Sequence, residues 1–385
     1  MELTHPAINN TPVETLQGLL SQRTQEDPDK PFLFFKDQIW TRKEIDLASN
    51  ALAEKLKRFG VRAGDRAALI LPNGPEFILH FFGILKTGAI AIPVNTSLKE
   101  EEVSFILKDS GAAYAFTGPA HEAGLKTFRD HSSNSTLKKV ELVPIGESKD
   151  FWLKSGTDSA SLIYTSGTTG FPKGAELTHH NYLFDAQKFV EATRMSESDR
   201  FLCFLPLFHV NAQVVTLLSP LYCGGAAPMP VEVFERFEKK FNAYILEGYG
   251  LSEGTCVSSI NPPPPQKRKI GSIGLALKGQ DMKILDSEGK ELPRGETGEI
   301  AIKGDNVMKG YWNNSSATSQ TIRNGRLYTG DLGYQDQDGF FFIVGRSKEM
   351  IIRGGKNISS LPKTATGKIQ KLKLKKEILE REGLQ

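Results

Sequence analysis

The sequence has few cysteines and no long apolar run. Its three cysteines, Cys203, Cys223 and Cys256, form no close pair and no metal-binding spacing, so we expect buried thiols in a reducing compartment. The apolar stretch at residues 79–94 is interrupted by Lys86 and is too short to span a membrane, and the N-terminus lacks the layout of a signal peptide. No transmembrane segment is therefore expected, peripheral membrane contact stays open, and a cytoplasmic location is predicted.

The net charge is small and histidines are few. A net charge of +3 is too small to indicate nucleic-acid binding. The adjacent pair His179 and His180 would point to different faces of a helix, which disfavours a histidine metal site. In contrast, 39% hydrophobic residues with 23 phenylalanines can fill a core, which argues against global disorder. The sequence leaves the oligomeric state undetermined.

The first third of the chain alternates helices and strands. Two segments of capping-box form, T-x-x-E from Thr41 and S-x-x-E from Ser97, predict helix starts. Residues 67–71 and 89–94 have the pattern of buried strands, and residues 75–85 that of a helix between them. This order predicts an α/β fold whose mostly parallel sheet is covered by helices on both sides.

Two later regions differ from this pattern. Residues 119–150 are polar and irregular, which predicts a surface excursion. Residues 268–345 contain short β runs separated by glycine turns, such as 299–302 and 340–344. They predict a small β subdomain.

The most informative stretch is TSGTTGFPKG, residues 165–174, which follows the apolar run at 161–164. Glycines let backbone N–H groups turn toward a ligand, hydroxyls add donors and lysine adds a charge, a combination that suits a polyphosphate. The Walker loop has lysine directly after its second glycine and a hydroxyl next. Here Phe171 and Pro172 precede Lys173, so a P-loop NTPase is disfavoured.

Residues 164–174 resemble the phosphate loop of the adenylate-forming superfamily, which includes acyl-CoA synthetases, luciferases and peptide-synthetase adenylation domains. Four further segments resemble its other core motifs in the same order: YGLSE, YTGD, GRSK and PKTATGK, at residues 249–253, 328–331, 345–348 and 362–368. The resemblance implies an adenylation domain over 13–343 that includes a small barrel-like β subdomain. A C-terminal lid domain would follow from residue 344, with its hinge near Lys348.

The same resemblance implies that ATP activates a carboxylic acid, which is then transferred to CoA. Glu253 would hold Mg²⁺, which prefers one carboxylate together with waters and phosphates. Asp331 suits the ribose, because a carboxylate can accept two hydrogen bonds from a diol. Tyr249 would stack on adenine, and Arg346 would lie near Asp331. The implied phosphate-loop contacts are Thr165, Ser166, Gly167, Thr168, Thr169, Gly170 and Lys173.

Catalysis is implied for a smaller set of positions. Lys368 matches the lysine that bridges the carboxylate, the ribose and the α-phosphate during adenylation. His209 matches a position beside the acyl pocket. The positions with an implied catalytic role are Lys368, Glu253, Thr165 and His209, and those near the CoA tunnel are Gly354 and Gly355.

Two gaps separate this chain from the family pattern. Between His209 and Tyr249 the family has a much longer stretch, and the shortened segment lies near residues 222–228. The second gap, after Ile358, skips nearly all of the lid domain and leaves residues 344–385 as its remnant. Ten residues lead from Ile358 to Lys368, an extended reach of roughly 33–36 Å. Distance does not forbid contact with ATP, but the folded body that would orient the lysine is missing.

Three functions follow from these observations. The first is an ATP-dependent acyl-CoA synthetase, with a fatty acid favoured as substrate and with activity impaired by the gaps. The second, favoured by both gaps but opposed by the intact PKTATGK motif, is a non-catalytic nucleotide-binding or interaction protein. The third is a carrier-protein-loading adenylation domain, which is disfavoured because no carrier-domain serine motif follows. Thioester formation on CoA or on a carrier protein separates the first from the third.

Overall fold

The computed structural model describes residues 13–118, 158–165, 172–203, 205–224 and 246–346, and short pieces at 122, 125–126, 139–140, 352–353 and 356–357. None of the helices in these ranges is long and apolar enough to cross a membrane. The helices are α1 Leu16–Glu26, α2 Arg42–Arg58, α3 Pro75–Thr87, α4 Glu100–Ser110, α5 His179–Thr193, α6 Ser219–Cys223 and α7 Ser315–Thr321. A π-helical segment, Ala212–Leu218, runs directly into α6.

The strands form one large sheet, one antiparallel five-stranded sheet and smaller pairings. In chain order they are β1 Pro31–Phe35, β2 Gln38–Thr41, β3 Arg66–Ile70, β4 Ile90–Pro93, β5 Tyr114–Thr117, β6 Lys139–Val140, β7 Ser159–Thr165, β8 Lys173–Thr178, β9 Gly248–Tyr249, β10 Ser259–Ile260, β11 Leu275–Ala276, β12 Asp281–Leu285, β13 Gly298–Lys303, β14 Gly310–Tyr311, β15 Ile322–Arg323, β16 Arg326–Gln335, β17 Phe341–Arg346, β18 Ile352–Arg353 and β19 Lys356–Asn357.

The large sheet has the order β14-β8-β7-β4-β3-β5-β6. Its pairings from β7 through β6 are parallel, whereas β8 and β14 add antiparallel strands at one edge. The α/β fold with a mostly parallel sheet is therefore confirmed. Strand β6 lies within residues 119–150, so that region is not wholly irregular as expected, because β5 offers a free edge to which it pairs.

Helices cover the large sheet on both faces, as the alternation along its strands requires. Ala67 and Leu69 of β3 pack in the core cluster formed with α1, α2, α3 and α5. Ala68 and Ile70 point the other way, into a second cluster with α4. This period of two fixes the register of the central strand, because a slip of one residue would exchange the two faces.

One of the two predicted capping boxes is present. Thr41 accepts from the Glu44 backbone N–H, and Glu44 accepts from the Thr41 backbone N–H, at the start of α2. The box predicted from Ser97 is wrong, because α4 begins at Glu100. Ser97 instead donates its N–H to the Asn95 side chain in the preceding turn, and Glu102 accepts from the Lys99 N–H. Local hydrogen bonding by asparagine competes with helix initiation here.

The small β subdomain is present as the sheet β12-β13-β16-β15, with β17 added on β16. Its core contains Ile284, Ile300, Ile302 and Leu327. The turn before β17 is held by Asp336, which accepts from the N–H groups of residues 338 and 340. Of the predicted lid remnant at 344–385, only residues 344–346, 352–353 and 356–357 are described, and the hinge at Lys348 and the lysine loop at 362–368 lie outside the described residues.

The expectation of three buried thiols is correct only for Cys256. Cys203 and Cys223 are half-buried. Cys203 precedes the π-helical segment, and Cys223 is the last residue of the short α6. Burial raises the pKa of the Cys256 thiol well above its ordinary value. His179 and His180 do point to different sides, because His179 is buried beneath α1 and His180 is exposed near Asp305.

A fully buried lysine joins α2 to α3. Lys86 Nζ donates to Asp46 Oδ1 over 2.6 Å, to Ser49 Oγ over 2.8 Å and to Asn50 Oδ1 over 2.7 Å. Burial lowers the pKa of Lys86 to about 8, while the charge of Asp46 opposes this shift. Its hydrogen-bonding capacity is thus satisfied inside the helix pair, as a buried charge requires.

Replacing Lys86 with alanine is expected to lower the free energy of unfolding by about 3–5 kcal/mol, because Asp46 would keep a poorly solvated charge without its partner. Urea denaturation measures the change. The control is Lys57→Ala on α2, which breaks an ion pair with Glu54 whose two side chains are about one-quarter exposed. That variant should lose no more than about 1 kcal/mol. Equal losses in the two variants would contradict the role given to Lys86.

Candidate active site

The ends of the predicted phosphate loop lie side by side. Strands β7 and β8 are antiparallel neighbours, and Thr165 is the register partner of Lys173. Behind them, a Cβ on Gly174 would sit 3.0 Å from the Tyr164 ring, so a glycine fits this position. The loop therefore closes a hairpin, whereas a Walker loop leads from a strand into a helix. Residues Ser166, Gly167, Thr168, Thr169 and Gly170 lie outside the described residues.

Glu253 meets this hairpin. It lies in the 3₁₀ turn Ser252–Gly254, which follows β9. Its Oε1 accepts a hydrogen bond from Tyr311 over 2.8 Å and a longer one from Thr165 Oγ1 over 3.4 Å. Lys173 Nζ lies 5.1 Å from the centroid of the Tyr311 ring. A carboxylate, a hydroxyl and a lysine thus converge where the glycine-rich loop leaves the sheet.

Backbone packing holds the turn that carries Glu253. A Cβ on Gly250 would lie 1.4 Å from the Cys256 carbonyl oxygen, so only glycine allows the two strands of this loop to approach. Asn306 is buried and donates to the Gly254 carbonyl over 3.0 Å. Thr255, which has a positive φ of 63°, donates its hydroxyl to the Asn306 carbonyl. These bonds offset the strain of an unfavourable backbone conformation.

A buried carboxylate fixes the far end of the same loop. Asp185 on α5 accepts from the Val257 N–H over 2.9 Å and more weakly from Gln280 Nε2. Gln280 also donates to the Val257 carbonyl over 2.9 Å. Burial raises the pKa of Asp185 well above its ordinary range, against these two hydrogen bonds. Asp185 therefore orders the loop through Val257 and Gln280.

A second group of predicted residues surrounds Asp331, which is almost fully buried. Asp331 Oδ2 accepts from the Tyr249 hydroxyl over 2.7 Å, and Oδ1 accepts from Arg346 Nε over 2.6 Å. Asp331 and Arg346 are register partners on β16 and β17. Burial, and then the Asp331 charge, raises the pKa of Tyr249 well above its ordinary value, so Tyr249 acts as a donor. The adjacent Gly330 N–H donates to Glu299.

His209 is the remaining predicted site residue within the described ranges. It is exposed, its ring centroid lies 4.4 Å from that of Phe208, and it precedes the π-helical segment. Insertions of this kind are frequent at functional sites, but they are not evidence of a role. The remaining predicted positions, Gly354, Gly355 and Lys368, lie outside the described residues.

Sequence reasoning missed Tyr311. Burial, and then the charge of Glu253, raises the pKa of its hydroxyl, so it remains a hydrogen-bond donor. The signal available was the run Gly310-Tyr311-Trp312, in which two aromatic residues follow a glycine. Asn306 and Asp185 gave no signal, because single polar residues acquire their role only when distant segments meet.

The donor set at Glu253 fits a hard cation. Among the residues described, no cluster of three or more histidine, cysteine or acidic side chains could hold a metal alone. One carboxylate beside a hydroxyl suits magnesium, which keeps several waters and shares phosphate oxygens with its nucleotide. Zinc would require three or four nitrogen or sulfur ligands.

Comparison with known proteins identifies the family of the chain. The family profile described as AMP-binding enzyme matches residues 20–227 and 222–312. The chain therefore belongs to the AMP-binding enzyme family, the adenylate-forming class of acid–thiol ligases. Its two matched stretches overlap at residues 222–227, so the profile is interrupted there.

Individual relatives act on different acids. Oxalate–CoA ligase of Arabidopsis thaliana is 30% identical over 422 positions, covering 90% of this chain and 82% of that protein. Long-chain-fatty-acid–CoA ligase of Bacillus subtilis is 30% identical, covering 90% of this chain and 79% of that protein. The solved o-succinylbenzoate CoA synthetase of Bacillus subtilis, in complex with its acyl-adenylate intermediate, has a TM-score of 0.78 and 29% identity over 88% of this chain and 80% of that chain. An alignment of 422 positions exceeds the 385 residues here, so that relative has residues opposite gaps in this chain.

Proposed function

We propose that this chain is an ATP-dependent acyl-CoA synthetase. A carboxylate attacks the α-phosphate of ATP and expels pyrophosphate, and the CoA thiol then attacks the acyl-adenylate and releases AMP. The observation that supports this most is the meeting of Thr165, Lys173 and Glu253 at the base of the phosphate hairpin. Glu253 is 88 positions from Thr165 in the sequence, so two distant segments supply these residues.

The side chains would have different roles in adenylation. Thr165 and Lys173, with Ser166, Gly167, Thr168, Thr169 and Gly170, would hold the β- and γ-phosphates. Mg²⁺ bound at Glu253 would neutralise the charge of those phosphates. Because each Asp331 oxygen has a further lone pair beside its present partner, that carboxylate can also accept from the ribose hydroxyls. Tyr249 would contact adenine with its ring while its hydroxyl stays on Asp331.

The remaining roles concern the carboxylate and CoA. Lys368 would bridge the carboxylate and the α-phosphate in the adenylation step. His209 would lie beside the acyl group, and Gly354 and Gly355 would border the CoA tunnel. A fatty acid is the proposed acyl donor. Relatives act on oxalate, succinylbenzoate and long-chain fatty acids. They support a carboxylic acid as the substrate and do not single out a fatty acid.

We also propose that the chain lacks two internal segments of a full-length synthetase. The interruption of the family profile at residues 222–227 supports the first gap, near 222–228. The second would reduce the lid domain to residues 344–385, after an adenylation domain at 13–343. Lys368 on such a short remnant would lose much of its orientation, so weak turnover is expected. The same gaps favour a second function, a nucleotide-binding protein that no longer catalyses adenylation.

Carboxylate-dependent exchange between ATP and pyrophosphate tests this proposal. The folded chain is assayed with acetate, medium-chain and long-chain fatty acids, and exchange is expected with fatty acids. Lys368→Ala should reduce the exchange rate by roughly 100-fold, as expected for loss of an electrostatic contact to the reacting group. The control is Lys371→Ala in the same lysine-rich tail, which should leave the rate unchanged. ATP binding without exchange for any acid would support the non-catalytic alternative.

A further inference from the structure

Tyr311 contacts both halves of the proposed phosphate site. Its hydroxyl donates to Glu253 Oε1 over 2.8 Å. Its ring faces Lys173, whose Nζ is 5.1 Å from the ring centroid. A cation over an aromatic face is attracted by the negative charge of that face. One side chain therefore meets the carboxylate proposed to bind metal and the lysine of the phosphate loop.

The position of Tyr311 is set by the hairpin itself. Tyr311 pairs with Ala175 where β14 adds to β8. The next residue, Trp312, donates its N–H to the Gly174 carbonyl over 2.8 Å, and the Tyr311 N–H donates to Thr318 Oγ1 over 2.9 Å. A side chain on a paired strand is held more precisely than one on a free loop.

The same segment also holds the Glu253 backbone. The Met308 N–H donates to the Glu253 carbonyl over 2.8 Å, three residues before Tyr311. An ionised carboxylate can accept about four hydrogen bonds or ligand contacts. Tyr311 and Thr165 both donate to Oε1, while Oε2 accepts no hydrogen bond from the described residues and can bind an ion. Hydrogen bonds of this kind orient carboxylates that bind metals.

We propose that Tyr311 is a positioning residue, which orients Glu253 toward the Mg²⁺ of bound Mg²⁺–ATP and keeps Lys173 beside the phosphates. The inference rests on the proposed nucleotide site. It assigns to Tyr311 a metal-dependent effect, because its hydroxyl donates to Glu253; the same hydroxyl is also within hydrogen-bonding reach of the Thr321 side chain. Its effect through Lys173 depends on the ring alone.

The test is the Tyr311→Phe variant, which removes the hydroxyl and keeps the ring over Lys173. Isothermal titration calorimetry measures ATP affinity with excess Mg²⁺ and again with EDTA. Mg²⁺–ATP affinity is expected to fall roughly 10–100-fold, as for other hydrogen-bond partners of metal ligands. Affinity in EDTA should be unchanged. The matched control is Tyr182→Phe, which removes a buried hydroxyl that donates to Gln213 over 2.6 Å and should alter neither affinity.

Each outcome bears on a separate claim. If wild-type protein binds no ATP, the proposed function fails and the role of Tyr311 fails with it. If wild-type protein binds Mg²⁺–ATP and Tyr311→Phe binds it equally well, only the positioning role is overturned. A fall of the same size in Mg²⁺ and in EDTA, or a Tm loss larger than that of Tyr182→Phe, would indicate a general structural role and also overturn it.

A double-mutant cycle adds a second check. In a Glu253→Gln background the hydroxyl of Tyr311 no longer orients a metal-binding carboxylate, so Tyr311→Phe should have little further effect on Mg²⁺–ATP affinity. Non-additivity of this kind is the expected signature of two residues in direct contact. Fully additive losses would show that Tyr311 acts independently of Glu253.

Discussion

Replacing Gly250 with alanine is expected to weaken Mg²⁺–ATP binding by roughly 100-fold, a loss typical of a displaced binding group. The new Cβ would lie 1.4 Å from the Cys256 carbonyl oxygen, which belongs to the backbone and cannot rotate away. Relief requires the two sides of the loop to separate, and that movement would displace Glu253. The free energy of unfolding should also fall by about 3 kcal/mol, the upper part of the usual range for overpacking.

Calorimetric titration and urea denaturation measure the two effects. The control is Gly118→Ala, because a Cβ at Gly118 would have no atom of the described residues within 4 Å. That variant should match the wild type in both measurements. Normal Mg²⁺–ATP affinity in Gly250→Ala would show that the turn carrying Glu253 tolerates displacement or takes no part in nucleotide binding.

Replacing Asp331 with alanine is expected to lower ATP affinity by roughly 10- to 10,000-fold. The estimate follows from the loss of one or two hydrogen bonds between a charged carboxylate and the ribose, each worth about 1.5–3 kcal/mol. The effect should be the same with Mg²⁺ and with EDTA, because Asp331 lies with Tyr249 and Arg346 and does not contact Glu253 in this arrangement. This distinguishes it from the metal-dependent effect expected for Tyr311.

The comparison for Asp331→Ala is Asp338→Ala, a mostly exposed carboxylate that pairs with Lys269. It should bind ATP as the wild type does. A 2′,3′-dideoxy analogue of ATP provides a further measurement, since it lacks the hydroxyls that Asp331 would contact. If the Asp331→Ala variant discriminates between ATP and this analogue as strongly as the wild type, the ribose role is refuted.

Much of the fold could be predicted because its signals are local. The strand at residues 67–71 and the helix beginning at Pro75 were evident from apolar runs and end signals, and they appear within a residue or two. The prediction of a helix start at Ser97 failed for an equally local reason. The T-x-x-E and S-x-x-E patterns are alike, and the segment at Ser97 differs by the competing turn at Asn95. The pairing of β8 and β14 spans more than a hundred residues, so no local pattern predicts it.

The candidate site divides in the same way. The stretch rich in glycine and hydroxyls pointed to Thr165 and Lys173, and the resemblance of residues 249–253 to a family motif implied Glu253. Their convergence could not be predicted from spacing, and neither could the hydrogen bond that brings Tyr311 to Glu253. The role of Asn306 could not be predicted from the sequence, because its side chain donates to the backbone of a loop about fifty residues away.

The segment around strand β14 joins the parts of the proposed phosphate site to one another. Through Tyr311, Trp312 and Met308 it ties the base of the phosphate hairpin to the Glu253 turn, using contacts made within residues 165–312. None of these contacts involves the interrupted stretch at 222–227 or the residues beyond 346. If the hairpin binds ATP as proposed, loss of segments outside these contacts would leave the hairpin and the Glu253 turn joined to each other.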